Sequence, residues 1–100
     1  MLLRSHRIIG YDVQRMMFDF TMLTPDAKTV GCSISSAAMD RLIGKSGCMP
    51  NEREALFSEL RVKIEEIASS IYDLENPSHV YIFSKHVEVA IGTRGRGGKP

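Results

Sequence analysis

Tryptophan is absent, cysteine occurs twice and proline four times in a chain of 100 residues whose formal net charge is +1. Each shortage closes off a class of explanation. Cys32 and Cys48 are too few for a disulfide framework. With His79 and His86 they form no C-x-x-C or H-x3-H pair, the close spacing from which structural zinc sites are built. No apolar run reaches the length of a signal-peptide core or a membrane span, so the expectation is a cytoplasmic protein that does not enter a membrane. The near-balance of charge provides no whole-molecule field to draw in a polyanion.

What is present is ordinary for a globular domain, with 43% hydrophobic and 25% charged residues. This length supports one core that folds without staples, and leaves little room for an internal cavity together with a large catalytic apparatus. No internal repeat is visible.

The strongest local signal runs from Asn51 to Glu75. Phe57, Leu60, Ile64, Ile67, Ile71 and Leu74 recur at steps of three and four, one apolar stripe on a helix, and such a stripe must be buried. Pro50 lacks a backbone donor, and Asn51 followed by Glu54 reads as a capping-box start. Glu52, Arg53, Glu59, Lys63 and Glu66 stand opposite the stripe as a solvated face, with Glu59 placed four before Lys63 in the favourable order for an ion pair. Arg61 and Tyr72 fall roughly 70 to 90° from the stripe's centre. Long amphipathic side chains sit well at such a boundary.

Alternation marks the strands. From Met16 to Leu23, Phe18, Phe20 and Met22 point one way and Met17, Asp19, Thr21 and Leu23 the other. Thr24-Pro25-Asp26-Ala27 supplies a turn, after which Val30, Cys32 and Ile34 alternate with Thr29, Gly31 and Ser33, completing a β-hairpin with Cys32 facing the core. Ser35 or Ser36 caps a short helix carrying Ala38, Met39, Leu42 and Ile43, and Gly44 ends it. Asn76-Pro77-Ser78 stops the long helix, and Val80 to Phe83 suits a strand. Val87, Val89 and Ile91 alternate with Glu88 and Ala90, so that strand either continues or folds back.

The expected fold is therefore α+β in the order β-β-α-α-β, a two-layer arrangement with a small antiparallel sheet and a short and a long helix packed on one face. One domain spans residues 1–91, with 1–7 as candidates for poor order, and a basic Gly/Arg tail follows over 92–100.

Tyr11, Asp12 and Arg15 make a Y-D-x-x-R element, Phe18 follows three residues on, and the long helix carries Phe57, Arg61, Ile64, Ala68 and Tyr72 in an F-x3-R-x2-I-x3-A-x3-Y pattern. In this order and spacing the chain resembles the family of small bacterial proteins catalogued as domain of unknown function 1488, from about Ile8 to Ser84. The resemblance implies a single-domain α+β protein of bacterial origin, and it brings no established activity, substrate or catalytic residue. The chain departs from the family pattern in its short hairpin turn and its glycine-arginine end.

Candidate chemistry is sparse. Gly44-Lys45-Ser46 looks like the end of a phosphate-binding loop, but the motif's first glycine would fall where Met39 stands and the preceding element is a helix. Ser33, Ser35 and Ser36 lie in no G-x-S-x-G turn and have no evident base, so capping accounts for them better. His79 and His86 flank the last strand and are expected to face solvent. Tyr11, Asp12, Arg15, Arg61 and Tyr72 form a candidate polar boundary cluster, in which Arg61 reaches Asp12 in a charge-assisted bond and the two tyrosines pack over its stem. A structural role outweighs a binding pocket here, because arginine-carboxylate clamps are common in small folds. Arg94, Arg96 and Lys99, in a tail without anions or apolar residues, are the candidate nucleic-acid contacts. A single R-G-R-G-G copy without interleaved aromatics favours an inert end instead.

No catalytic residue, cofactor or metal is expected. The favoured reading is a non-enzymatic interaction or regulatory domain that pairs with a protein partner or with itself through a sheet edge, with Met17 and Leu23 enlarging that surface. Sequence-indifferent nucleic-acid binding through the tail is the alternative.

Overall fold

Phe18, Phe20 and Met22 alternate with more polar neighbours, and so do Val30, Cys32 and Ile34; in the computed structural model, which describes residues 3–44 and 49–89, all six are buried against one long helix. The elements run β1 (Arg4–Asp12), β2 (Met17–Leu23), β3 (Thr29–Ser35), α1 (Ser36–Ile43), a 3-10 turn (Pro50–Glu52), α2 (Arg53–Glu75) and β4 (His79–Ile82), with a further helical segment over 84–89. The expected α+β, two-layer arrangement of helices on one side of a sheet is what forms.

Two features differ from the expectation. Arg4 to Asp12 is an additional strand, so the segment 4–7, suspected of poor order, lies within a strand whose Arg4 and Ser5 pair with β2. Its pairing with β2 is interrupted by register shifts between Ser5 and Ile8 and between Ile8 and Gly10. Such bulges erase the strict alternation by which a strand is recognised. The sheet, in the order β1-β2-β3-β4, is also mixed rather than wholly antiparallel, because β4 lies parallel to β3. The 23-residue α2 carries the chain back along the sheet between them, and a crossover of that kind delivers a parallel neighbour.

The hairpin between β2 and β3 closes as its sequence foretells. Ala27 N donates to Thr24 O at 2.9 Å and Lys28 N to the Thr24 hydroxyl at 2.9 Å, while Ala27 takes a left-handed conformation at φ 67°. The Ser35 hydroxyl accepts from Ala38 N at 3.1 Å to start α1, and Gly44 ends it at φ 81°. The start of the long helix lies elsewhere than at Asn51: Glu52 Oε1 accepts from Met49 N at 2.8 Å, two residues upstream of the expected capping box. The 3-10 turn at Pro50–Glu52 uses the first residues that a continuous α-helix would have claimed.

Phe57, Ile64, Ile67, Ala68 and Ile71 fill the core as the stripe demands, and the Phe57 ring lies 4.6 Å from Phe18 and 4.8 Å from Phe20 between centroids. Leu74 departs from the stripe and is 84% exposed. Arg53, expected in water, is 4% exposed. The Glu59–Lys63 pair is absent from the ion pairs among the described residues. Burial pushes the Cys32 thiol up to about 12, the behaviour of an inert core residue. Residues 84–89 are helical, so the last strand neither continues nor folds back there as its alternation suggested; Val87 is buried and Val89 exposed. Met17 is buried as well, so it does not enlarge an exposed surface.

Candidate functional site

The sheet has one face under the helices and one face free of them, and strand alternation decides which residues meet which. Tyr11 lies opposite Phe18 and packs against the core, so its neighbour Asp12 points to the other face, away from α2. The expected Arg61–Asp12 clamp therefore does not form. Arg61 Nε instead donates to Glu65 Oε2 at 2.9 Å one turn along α2, and its guanidinium lies 5.8 Å from the Phe57 ring centre. Glu65 also accepts from the Ser5 hydroxyl at 2.5 Å. The N-terminal strand is tied to the long helix through Ser5 and Glu65 instead. Tyr72 is half-buried against the core and Tyr11 is drawn into a different group, so the five residues of the boundary cluster are dispersed.

Tyr11 belongs to a buried polar group that the sequence pattern hides. Its hydroxyl lies 2.6 Å from Ser36 Oγ, which donates to Met16 O at 3.0 Å. The Arg53 guanidinium sits 5.5 Å from the Tyr11 ring centre and Arg53 Nη1 donates to Asp40 Oδ1 at 2.9 Å. A cation over an aromatic face and a carboxylate at its tip are how an arginine becomes tolerable inside a fold. Arg53 Nε remains buried without a hydrogen-bond partner.

Asp12 and Arg15 form the other half of the Y-D-x-x-R element, and here the motif is local. Asp12 Oδ1 accepts from Gln14 N at 3.0 Å and Arg15 N at 3.2 Å, and its Oδ2 from Arg15 Nε at 2.8 Å. The Arg15 bonds hold the Asp12 carboxyl below the usual carboxylate range. Arg15 Nη2 reaches on to Asp19 Oδ2.

From Asp19 a polar chain crosses the free face. Ser33, opposite Asp19 in the hairpin, donates to Asp19 Oδ1 at 2.6 Å, and His79 Nε2 lies 3.0 Å from the same hydroxyl. A serine, a histidine and an aspartate in contact invite comparison with a hydrolytic triad, but the order is wrong. The single hydroxyl proton of Ser33 is committed to Asp19, so His79 Nε2 must donate to Ser33 and cannot take its proton. Ser33 is also fully buried. The arrangement braces the β1–β2 turn to β4 across three strands. Gly31 makes it possible, because a Cβ there would stand 2.7 Å from His79 Nδ1. The Asp19–Ser33 pairing follows from the register of the predicted hairpin, so this part was accessible to sequence reasoning; His79 was not, since its place depends on the crossover.

The free face ends at β4 in a row of rings. His79 and Tyr81 lie 4.5 Å apart between centroids, Tyr81 and Phe83 6.1 Å, and Phe83 and His86 6.1 Å. Neither histidine stands free in solvent as expected. His79 is bonded to Ser33, and His86 Nδ1 accepts from Phe83 N at 2.9 Å, capping the 84–89 segment. Burial pushes the His86 imidazole below its ordinary value. A cleft of about 310 Å³ runs beside this row, lined by Ile71 and Glu75 of α2, Pro77, Tyr81, Phe83 and Lys85 together with the two histidines.

Among the described residues no group of three or more His, Cys, Asp or Glu side chains could hold a metal ion, and no helix is long and apolar enough to cross a membrane. Lys45, Ser46 and Cys48, and the tail residues Arg94, Arg96 and Lys99, lie outside the described residues.

The family model described as "Protein of unknown function (DUF1488)" matches residues 5–83. A crystal structure of a protein of unknown function from the DUF1488 family of Shewanella loihica PV-4 superposes with a TM-score of 0.70 at 20% identity, covering 80% of this chain and 90% of that one. At that identity the likeness concerns the fold. No curated protein matches the chain.

Proposed function

Because the chain belongs to the DUF1488 family, whose description carries no activity, we propose from its geometry that it is a non-enzymatic interaction domain that receives a protein partner along the edge of β4 to which no strand pairs among the described residues. The observation that carries this reading is the contrast between the two edges of the sheet. β1 is guarded by two register irregularities and by the exposed Arg4 and Arg7, devices that discourage another strand from pairing. β4 has no charged residue, proline or bulge in His79–Ile82, and a cleft with exposed aromatic side chains runs beside it. Exposed main-chain donors and acceptors give affinity to an added strand, and flanking side chains give selectivity.

The non-enzymatic part of the reading rests on the Asp19–Ser33–His79 order, which spends the serine proton on a structural bond. The setting we infer is the bacterial cytoplasm, in keeping with the bacterial source of the related structure and the free, buried Cys32.

The test is gel filtration of extract from cells carrying the chain at its native level. The chain should migrate above its monomer mass, and Tyr81→Lys should return it to the monomer position while its circular dichroism is unchanged. A wild-type chain that already migrates as a monomer in extract overturns the reading.

A further inference from the structure

We propose that the partner on β4 is a second copy of this chain, paired antiparallel about a twofold axis at Tyr81, an inference that rests on the reading of β4 as the receiving edge. The first support is the end of α2. Glu75 falls 18 residues after Phe57, five whole helical turns, and so lies in line with Phe57 on the buried side of the helix. Yet Glu75 is exposed and Leu74 beside it is 84% exposed, while Ile71 one turn earlier is buried. The last turn of α2 has run out of sheet to lie on. A strand added to β4 would supply it.

The second support is the strand's own pattern. From His79 to Phe83 the residues alternate ring, aliphatic, ring, aliphatic, ring, with Val80 and Ile82 in the core and the rings on the free face. Centred on Tyr81, an antiparallel pair sets Tyr81 against Tyr81, His79 against Phe83, and Val80 against Ile82. Directly opposed residues share a face, so every pairing matches like with like and both cores become continuous. The third support is charge. Glu75 precedes β4 and Lys85 follows it, so the twofold brings Glu75 of each copy to the end of the joint that holds Lys85 of the other. The match is that of an isologous interface, where one patch must complement itself.

The experiment uses the purified full chain. Sedimentation over a wide concentration range should show a monomer–dimer equilibrium, weakened about tenfold or more by Tyr81→Lys, the size expected of an interface anchor. Glu75→Lys and Lys85→Glu should each weaken it, and the two together should restore it. In a Cys48→Ser background, Tyr81→Cys should form an intermolecular disulfide under mild oxidation, because opposed Cα atoms about 4.5–5.5 Å apart lie within disulfide reach. A purified chain that stays monomeric at every concentration overturns the dimer but leaves the interaction reading standing if the chain still migrates as an assembly in extract. A dimer indifferent to Tyr81→Lys and to both charge reversals overturns the β4 geometry.

Discussion

Arg53 donates from Nη1 to Asp40 Oδ1 at 2.9 Å across the joint between the two helices, with the arginine side chain 5% and the aspartate side chain 20% exposed. Two consequences follow from burying a charged pair at that joint. Its formation fixes how α1 docks on α2, and loss of one member strands the other where water cannot reach it. Asp40→Ala should therefore lower stability by about 3 kcal/mol. Asp40→Leu combined with Arg53→Met should recover most of that loss, since an apolar pair leaves no orphan charge. Urea unfolding followed by circular dichroism measures both, and equal destabilisation by the single and double variants would contradict the account.

Gly31 and His79 make a second pair whose fit is steric. A methyl at position 31 would stand 2.7 Å from His79 Nδ1 and 2.9 Å from Cε1, so the ring must leave its place and give up Ser33. Gly31→Ala should cost about 1–3 kcal/mol, the range for overfilling a packed site. Adding His79→Ala should relieve part of the cost. If Gly31→Ala is neutral by thermal unfolding and leaves the His79 ring resonances unmoved, the close approach does not matter.

His86 sets a pH dependence whose direction can be worked out. Its folded-state value lies below 6.5, chiefly through burial, while the unfolded chain titrates near 6.5. As pH falls through 6.5 the unfolded chain takes up the proton first, so stability declines until the folded form is protonated too. The same proton occupies Nδ1 and ends its acceptance from Phe83 N, loosening the start of the 84–89 segment. Proton NMR titration should give His86 a midpoint below that of a model peptide, and His86→Gln should flatten the acid side of the stability profile. A midpoint at or above 6.5 would be inconsistent with this burial.

Ala27 occupies the left-handed region at φ 67° after the Thr24–Ala27 turn, a position that glycine fills without a Cβ penalty. Ala27→Gly removes a strain of roughly 1–2 kcal/mol and gives back part of it as unfolded-state entropy. The net expected gain is about 0.5 kcal/mol, readable as a higher urea midpoint at unchanged slope. A drop in midpoint would show that the turn prefers a side chain.

Much of this architecture is legible in the chain because periodicity reports burial. Phe18, Phe20 and Met22, Val30, Cys32 and Ile34, and the stripe from Phe57 to Ile71 each repeat with the period of the element they build. β1 is illegible for the converse reason: its register shifts leave Ile8 half-buried beside the exposed Ile9, and no single period spans both. Arg53 reads as part of the solvated face, but it stands four residues before Phe57, one turn along the buried side, and nothing local announces the carboxylate of Asp40 or the ring of Tyr11 that make its burial tolerable. Val87 and Val89 suggest a strand that continues or folds back, and the helix over 84–89 escapes that reading because two residues are too few to separate periods of 2 and 3.6. The Y-D-x-x-R element does mark a real arrangement in Asp12 and Arg15, but its extension to Arg61 required knowing that adjacent Tyr11 and Asp12 look out on opposite faces.

The irregular pairing of β1 also limits how far this sheet can grow. A strand laid on β4 by a second copy leaves both outer margins of the enlarged sheet formed by β1, whose shifted register and exposed arginines offer no straight row of donors and acceptors to a third. Joining at one margin therefore exhausts the capacity to join. Unlike a head-to-tail contact, which can propagate without end into a filament, an assembly joined in the proposed way would close at two, with the irregular strand as its terminator.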